Sequence, residues 1–273
     1  VGYDAGVSLP EWVPDGVDIT VPNAARVYDY ALGGYHNFAV DREFMDQAEV
    51  AWPGLGLVAH ANRAYLGRAV QWLVAAGVRQ FLDIGSGIPT LGNVHEVAQR
   101  IAPDATVVYV DIDPVAVSHS QAILANNPRA HAVHGDLRRP HEILGHPDVA
   151  GLLDFSQPVA VLMIALLHFI PDDDDPAGLV RQIDDGLVAG SYLAISHGTP
   201  APDQASAQEA VRSLYTRTPT PFSLRTPQQV AGLLSGLEIV DPGIVPITDW
   251  HPDPEEADEP PQPSGLAAVA RKP

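Results

Sequence analysis

The hydrophobic positions of this chain change period partway along it. Between residues 22 and 77 they recur at helical spacing: Ala25, Tyr28 and Leu32 around Asp29, then Phe44 and Met45 running toward Val50, then Leu66, Ala69, Val70 and Leu73. That spacing predicts three helices, the first stopped by Gly33-Gly34, the second beginning near Asp41, and the third beginning after Asn62 and stopped by Gly77. From residue 79 onward, short apolar runs alternate with helical stretches. Phe81 to Ile84, Val107 to Val110, Ala130 to Val133, Val159 to Leu167 and the run SYLAISH ending at His197 read as five strands. The helices between them include one capped by Asp113 with Pro114 at its first position and one opened by Pro176. Such alternation implies a parallel sheet with helices on both faces. Past His197, Val211 and Leu214 mark one further helix and Val230, Leu233 and Leu234 another, and the runs LEIV and LAAVA supply two last strands. The stretch between those strands, 244–265, is acidic and proline-rich and reads as a mobile surface loop. Residues 1–20 read as an arm pinned by Trp12 and Val13.

The break after the first strand carries the chemistry. In RQFLDIGSGIPT, residues 79–90, Gly85 and Gly87 let the backbone leave the sheet edge and approach a ligand, with Asp83 just before the turn. A turn that cradles phosphate wants donors and no nearby anion, whereas a carboxylate suits an ammonium or sulfonium group. The second strand ends in Asp111, near the place, about 20 residues on, where a nucleotide fold sets its ribose-binding acid. Two such carboxylates suggest an adenosine ligand with a cationic tail, and S-adenosylmethionine meets both requirements. Open α/β sheets bind ligands at the carboxyl ends of their strands. On that rule Asp83 and Gly85 face the methionine end and Asp111 accepts from both ribose hydroxyls. Ile112 covers one face of the adenine, and Asp136 with the backbone of Leu137 lies beside it. Each Asp alone is as readily a helix cap or turn residue; the joint spacing points to the cofactor.

FLDIGSGIP, VDIDP, HGDLRRP and ALLHFIPDDDDP follow one another in the order and spacing of the class I S-adenosylmethionine-dependent methyltransferases, which the chain resembles. PNAARVYDYALGGYHNFAVDRE near the start and VARKP at the end are similar to an actinobacterial family of predicted methyltransferases of unassigned substrate. The resemblance runs from about Pro22 to Pro273. It implies a seven-stranded, mostly parallel Rossmann-like sheet with an N-terminal helical cap, the last two strands forming a hairpin that adds an antiparallel strand. The corresponding division is an arm and cap over 1–61 and a methyltransferase domain over 62–273. In one departure from the common glycine-rich loop, Ile88-Pro89 stands in place of a third glycine, as in the narrower family. A nicotinamide dinucleotide would need a glycine where Thr90 stands, and Asp83 would sit close to its pyrophosphate.

Helices ahead of the first strand commonly close over the site in this fold, so Tyr28, Tyr35, His36 and Asn37 are candidates to face the cofactor or acceptor, and Arg26 to meet a carboxylate. The alternative is a core stripe followed by a plain helix stop. His168 is the first group past the fourth strand expected to titrate near neutral pH, which makes it the first candidate general base, with His36 second. A third possibility is proximity alone, with an acceptor that ionises unaided. The run Asp172 to Asp175 reads as a solvated turn capping the next helix, and without an HxxxH or HExxH spacing no metal is expected.

Composition narrows the partners. The 34 acidic residues outnumber the 15 basic ones for a formal charge of −19, and Lys272 is the only lysine. Tracking a phosphate backbone or an anionic membrane needs clustered cations, so a small-molecule substrate is expected, with neither nucleic acid nor membrane as partner. Zero cysteines, no apolar run fit to span a bilayer and no signal-peptide pattern suggest a cytoplasmic protein. The expected function is methyl transfer from S-adenosylmethionine to a small molecule. The alternatives are a cofactor-binding protein without turnover and a nicotinamide-dependent oxidoreductase. Oligomeric state is not legible in the sequence.

Overall fold

Among the described residues, three helices precede the sheet. The computed structural model describes residues 13–14, 17–89, 92–216, 218, 220–252 and 265–273, so Trp12, Thr90 and most of the acidic stretch lie outside the described residues. Helix α1 (Ala24–Ala31) starts where Asn23 Oδ1 accepts the Ala25 amide at 2.8 Å. Helix α2 (Ala39–Ala51) starts where the Asp41 carboxylate accepts the Phe38 amide at 2.9 Å. Both contacts satisfy donors that a helix start leaves unpaired. Helix α3 (Leu55–Ala75) begins well before Asn62. Gly54, at φ 92°, turns the chain straight into it, and the Glu49 carboxylate accepts the Gly54 and Gly56 amides at 2.6 and 3.0 Å. The division drawn between 61 and 62 therefore falls inside α3, which serves cap and sheet alike.

The sheet follows as β1 (Gln80–Ile84), α4 (Val94–Ile101), β2 (Thr106–Asp111), α5 (Pro114–Leu124), β3 (Ala130–His134), α6 (Pro140–Leu144), α7 (Pro147–Leu152), β4 (Ala160–Met163), α8 (Pro176–Asp185) and β5 (Tyr192–Gly198). After them come α9 (Ala205–Tyr215), α10 (Pro227–Leu233), β6 (Glu238–Ile239), β7 (Val245–Pro246) and β8 (Gly265–Arg271). Strand order is β3-β2-β1-β4-β5-β8-β6: the first five strands run parallel, and β8 lies antiparallel between β5 and β6. This is the expected seven-strand path, with the two-residue β7 pairing beside it on β8. The order reverses between β1 and β4, where the chain departs to opposite sides and leaves a crevice at the carboxyl ends.

Strand alternation divides the core into two faces. Leu82 and Ile84 pack with Val108, Val161 and the residues of α8 and α10. Phe81 packs on the other face with Leu66, Val70 and Leu73 of α3 and Val97 of α4. Asp83 follows Phe81 by two residues and points to the α3 face.

Two expectations are corrected. The apolar run Val159 to Leu167 is not all strand: β4 ends at Met163, and Leu167–Phe169 form a short 3-10 turn. Between them Ala165 takes φ 53°, a conformation that an L-residue rarely holds, and its amide donates to Ser196 Oγ at 2.8 Å. The stretch after Val240 is not all surface loop either. Ile247 and Trp250 are buried, and the Trp250 ring meets Tyr65 edge-on at 5.4 Å and Trp72 at 6.0 Å. The Arg68 guanidinium donates to the Trp250 carbonyl at 3.0 Å and the Ile247 carbonyl at 2.7 Å, satisfying buried backbone that an irregular segment would otherwise leave unpaired. Few apolar residues suffice here because the two largest are fully used.

Trp250→Ala is therefore expected to lower unfolding free energy by about 3–5 kcal/mol in chemical denaturation. A change under about 0.5 kcal/mol, typical of a surface position, would mean that the segment is not part of the core.

Candidate active site

The carboxyl ends of β1 to β5 open into one cavity of about 340 Å³, lined on the far side by α1, α2, α3 and α9. Of the residues singled out in the sequence, Tyr28, Asp83, Gly85, Gly87, Asp111, Ile112, Asp136, Leu137 and His168 line it. Tyr35 and His36 are not among its lining residues.

Asp83 and Asp111 are both buried. Burial raises Asp83 from 3.8 to about 7; the Arg63 guanidinium pulls it back and the Asp111 charge adds to the rise. Asp111 is raised to about 6, again by burial first, although the Asp113 and Gly87 amides donate to its two oxygens at 2.8 and 2.7 Å. Gly85, at φ 71°, leaves room that a Cβ would fill, 2.6 Å from Leu166 Cδ1. Ile112 is 43% exposed, a large apolar side chain held at the cavity wall. The Asp136 carboxylate meets the Arg138 side chain at 2.9 Å; burial works to raise its pKa, but the bonds to Arg138 outweigh this and hold it below the usual value.

Tyr28 belongs to a relay that ties the cap to the sheet. Its hydroxyl donates to the Ala59 carbonyl at 3.0 Å and accepts from Asn62 Nδ2 at 2.9 Å. Asn62 Oδ1 in turn accepts from Ser196 Oγ, the atom that holds the Ala165 amide. Arg26 forms the second tie and is not among the lining residues of this cavity: its Nε lies 3.4 Å from Asp113 and 3.7 Å from Asp41, all three side chains being buried.

The loop after α1 departs from expectation. Gly34 packs so closely on Asp29 that a Cβ would lie 2.0 Å from Asp29 Oδ1. Asp29 Oδ2 accepts from the His36 amide at 2.9 Å and Asn37 Nδ2 at 2.8 Å. These bonds turn Tyr35 outward, where it is 88% exposed, and set the His36 ring 3.5 Å from the His119 ring of α5. Asn37 is consumed in the same knot.

His168 lines the cavity from the 3-10 turn, but it does not titrate near neutrality. Burial, then His197 and Arg225, push its pKa well below 6.5, and its buried Nδ1 has no hydrogen-bond partner among the described residues. His197 is fixed as the Nδ1–H tautomer, since Nδ1 must donate to the Gly198 carbonyl at 2.7 Å while Nε2 accepts from Arg225 at 2.9 Å. Burial is the main reason that it titrates at about 4. Arg225 also donates to the Leu167 and Ile170 carbonyls, both at 2.9 Å, and pairs with Asp172, bracing the segment that carries His168. Among the described residues no group of three His, Asp or Glu side chains is arranged to hold a metal.

Arg63 and Asn62 line the cavity and were not singled out from the sequence. They stand three and four residues before Leu66, polar groups continuing the buried stripe of α3, and that is the signal that could have found them.

An acid at the end of β1 before a glycine turn, a second acid ending β2, and this strand order define the class I methyltransferase fold. The family model for S-adenosyl methyltransferases matches residues 10–273, and the chain belongs to that family. It is an S-adenosylmethionine-dependent methyltransferase. A DUF574 family protein from Streptomyces avermitilis is 42% identical, with TM-score 0.90 over 94% of this chain and 99% of that one. A candidate methyltransferase from Thermobifida fusca is 39% identical, with TM-score 0.88 over 96% and 99%. Human N-acetylserotonin methyltransferase, solved with S-adenosylmethionine, is 16% identical and has TM-score 0.50 over 90% of this chain and 62% of its own, a likeness of fold. No curated protein matches the chain. Among the described residues no helix is long and apolar enough to cross a membrane.

The cavity fits the cofactor: a buried acid near neutrality is a site for an ammonium group, and the glycine turn leaves backbone open to close approach. The two raised carboxyls set a pH dependence. Their folded pKa values exceed the ordinary 3.8, so their contribution to the stability of the free protein is present below about 4 and lost as pH rises through 6 to 7. A cationic ligand requires the ionised form and must release the proton. Affinity for S-adenosylmethionine should fall below pH 7, approaching about tenfold per unit, with proton release seen by calorimetry in buffers of different ionisation enthalpy. Asp83→Asn should weaken binding at pH 8 and flatten this dependence; a pH-independent affinity in the unmodified protein would contradict the ionisation assigned to Asp83.

Proposed function

We propose that the enzyme methylates a small molecule held inside this cavity. The observation that carries the reading is the lining of the space: besides the strand-end carboxylates it is built from side chains of α1, α2, α3 and α9. A cavity of about 340 Å³ lined mostly by apolar side chains is of the size and kind that holds a small molecule. The charge of −19 supports the same reading, because it disfavours polyanions. A cytoplasmic location belongs to this proposal and is supported by the absence of cysteine.

On this reading Asp83 holds the amino group of the cofactor and Arg63, close enough to lower the Asp83 pKa, holds its carboxylate. Asp111 accepts from the ribose hydroxyls with the lone pairs that the Gly87 and Asp113 amides leave. Ile112 and Leu137 flank the adenine and Asp136 receives its amine. S-adenosylmethionine supplies an electrophilic methyl group on a sulfonium. The chain's own task is to set an acceptor atom in line with that methyl and to exclude water. Tyr35 and His36 have no part in it. His168 remains at the cavity as a neutral imidazole, able to accept a proton that becomes more acidic as the acceptor bond forms.

The test is release of S-adenosylhomocysteine, followed by mass spectrometry, on incubation with S-adenosylmethionine and an extract of small metabolites. Turnover is expected with a fraction below about 1 kDa and not with nucleic acid or protein. Asp111→Ala should weaken cofactor binding by about tenfold or more, since a charged hydrogen bond contributes roughly 1.5–3 kcal/mol. Turnover only with the macromolecular fraction would overturn the reading.

A further inference from the structure

The acceptor can be described more closely, on the basis of the proposed function. The charged residues lining the cavity are Arg63, Asp83, Asp111, Asp136, Arg138 and Asp174. Each is electrostatically coupled to another of the set: Arg63 and Asp111 to Asp83, and Asp136 and Asp174 to Arg138. Under the proposed function Arg63, Asp83, Asp111 and Asp136 belong to the cofactor, and Asp174 acts on Arg138 beside Asp136. Among the described residues, α1, α2 and α9 contribute no charged side chain to the lining, and the part of the cavity under them is the apolar lobe. Met45, Trp52 and Val211 face it from α2 and α9, and Phe169, Tyr215 and Phe222 close it.

These aromatic groups are arranged as a wall. Tyr215 and Phe222 stack at 5.3 Å with planes 25° apart, Phe169 lies 5.5 Å from Tyr215, and His168 meets Phe222 at 5.1 Å. A charged acceptor would be desolvated there without a counterion. A flat apolar one would gain ring contacts. Polar groups remain in the wall. The Tyr215 hydroxyl has no hydrogen-bond partner among the described residues, and burial alone raises its pKa. His168 is 9% exposed, and the only side-chain contacts described for it are with rings. His197, 5.6 Å away, is already engaged by Arg225 and Gly198.

We propose that this lobe binds a flat, uncharged aromatic acceptor carrying a phenol-type hydroxyl, with its ring against Phe222 and Tyr215 and its hydroxyl beside His168. The acceptor oxygen forms the new C–O bond while the C–S bond breaks and leaves its electron pair on sulfur. The hydroxyl proton passes to the His168 imidazole and from there to solvent. A weak base is adequate because a phenol-type hydroxyl starts near 10, as in tyrosine, and becomes strongly acidic as the methyl arrives.

Enzyme saturated with S-adenosylhomocysteine is titrated with 2-naphthol, decahydro-2-naphthol and 2-naphthoate by calorimetry. 2-Naphthol is expected to bind at least about tenfold more tightly than either of the others, as a desolvated charge or a lost ring contact would dictate. Phe222→Leu should reduce that affinity severalfold, and Tyr215→Phe should lower the affinity for 2-naphthol while keeping its preference over decahydro-2-naphthol, with S-adenosylhomocysteine affinity unchanged in both. With S-adenosylmethionine present, 2-methoxynaphthalene should form, and His168→Asn should lower kcat with KM for 2-naphthol retained. Equal or tighter binding of the naphthoate or the saturated alcohol, no binding of 2-naphthol, or affinity untouched by Phe222→Leu would each overturn the proposal. Failure of all three probes with intact cofactor binding and turnover of another small molecule rejects this acceptor class alone; loss of cofactor binding itself rejects the wider reading.

Discussion

Two carboxyl groups buried at the ends of neighbouring strands, with one guanidinium close by, set the terms for the rest of this protein. Asp83 and Asp111 are each raised by burial, and the Asp111 charge adds to the cost of ionising Asp83. A pair of that kind is unfavourable in an empty protein at neutral pH and favourable once a cation and hydrogen-bond donors arrive. The fold keeps it because the ligand completes it. Arg63 supplies part of the compensation without cancelling the acidity, since the Asp83 carboxyl still lies near 7.

Above the strand ends, α1, α2 and α9 are tied down over that arrangement. The cap is fastened at two buried points, the Arg26 cluster with Asp41 and Asp113, and the relay from Tyr28 through Asn62 to Ser196. The first ends on the N-cap of α5, whose amide also bonds Asp111, so the acid proposed for the ribose and the cap share one connection. The second ends on Ala165, whose left-handed backbone turns the chain out of β4 toward His168. Neither cluster is a source of large stability by itself, because buried ion pairs offset their Coulomb gain with desolvation. Their effect is on placement: α1 and α9 close one side of a cavity whose other side is the sheet.

Much of this was legible in the residue pattern. Asp83, Gly85 and Asp111 stand out because a strand period runs into a glycine turn and ends in an acid, and local chemistry decides such features. The parallel sheet followed from alternation, and its seven strands with a final antiparallel hairpin from family resemblance; the strand order itself came with the structure. What the pattern hid depends on contacts distant in sequence. Trp250 sits in an acidic, proline-rich stretch, and only Tyr65, Trp72 and Arg68, nearly two hundred residues earlier, make it core. Tyr35 and His36 look like site residues because they follow a glycine stop, yet Asp29 binds the His36 amide and turns both away. The run from Val159 to Leu167 reads as one strand until Ser196 takes the Ala165 amide. Helix α9 joins the cap through Val211 and Tyr215, packed on Ala48, Trp52 and Phe44 of α2, a pairing that periodicity cannot announce.

The proposed site geometry rests on the two strand-end acids, and a crystal structure of the complex with S-adenosylhomocysteine at pH 7.5 examines them together. The account predicts the amino group of the ligand facing Asp83, both ribose hydroxyls within hydrogen-bond distance of Asp111, and the aromatic lobe beside Tyr215 and Phe222 left open beyond the sulfur. A ligand whose ribose lies away from Asp111, or whose amino group is turned from Asp83, would contradict it.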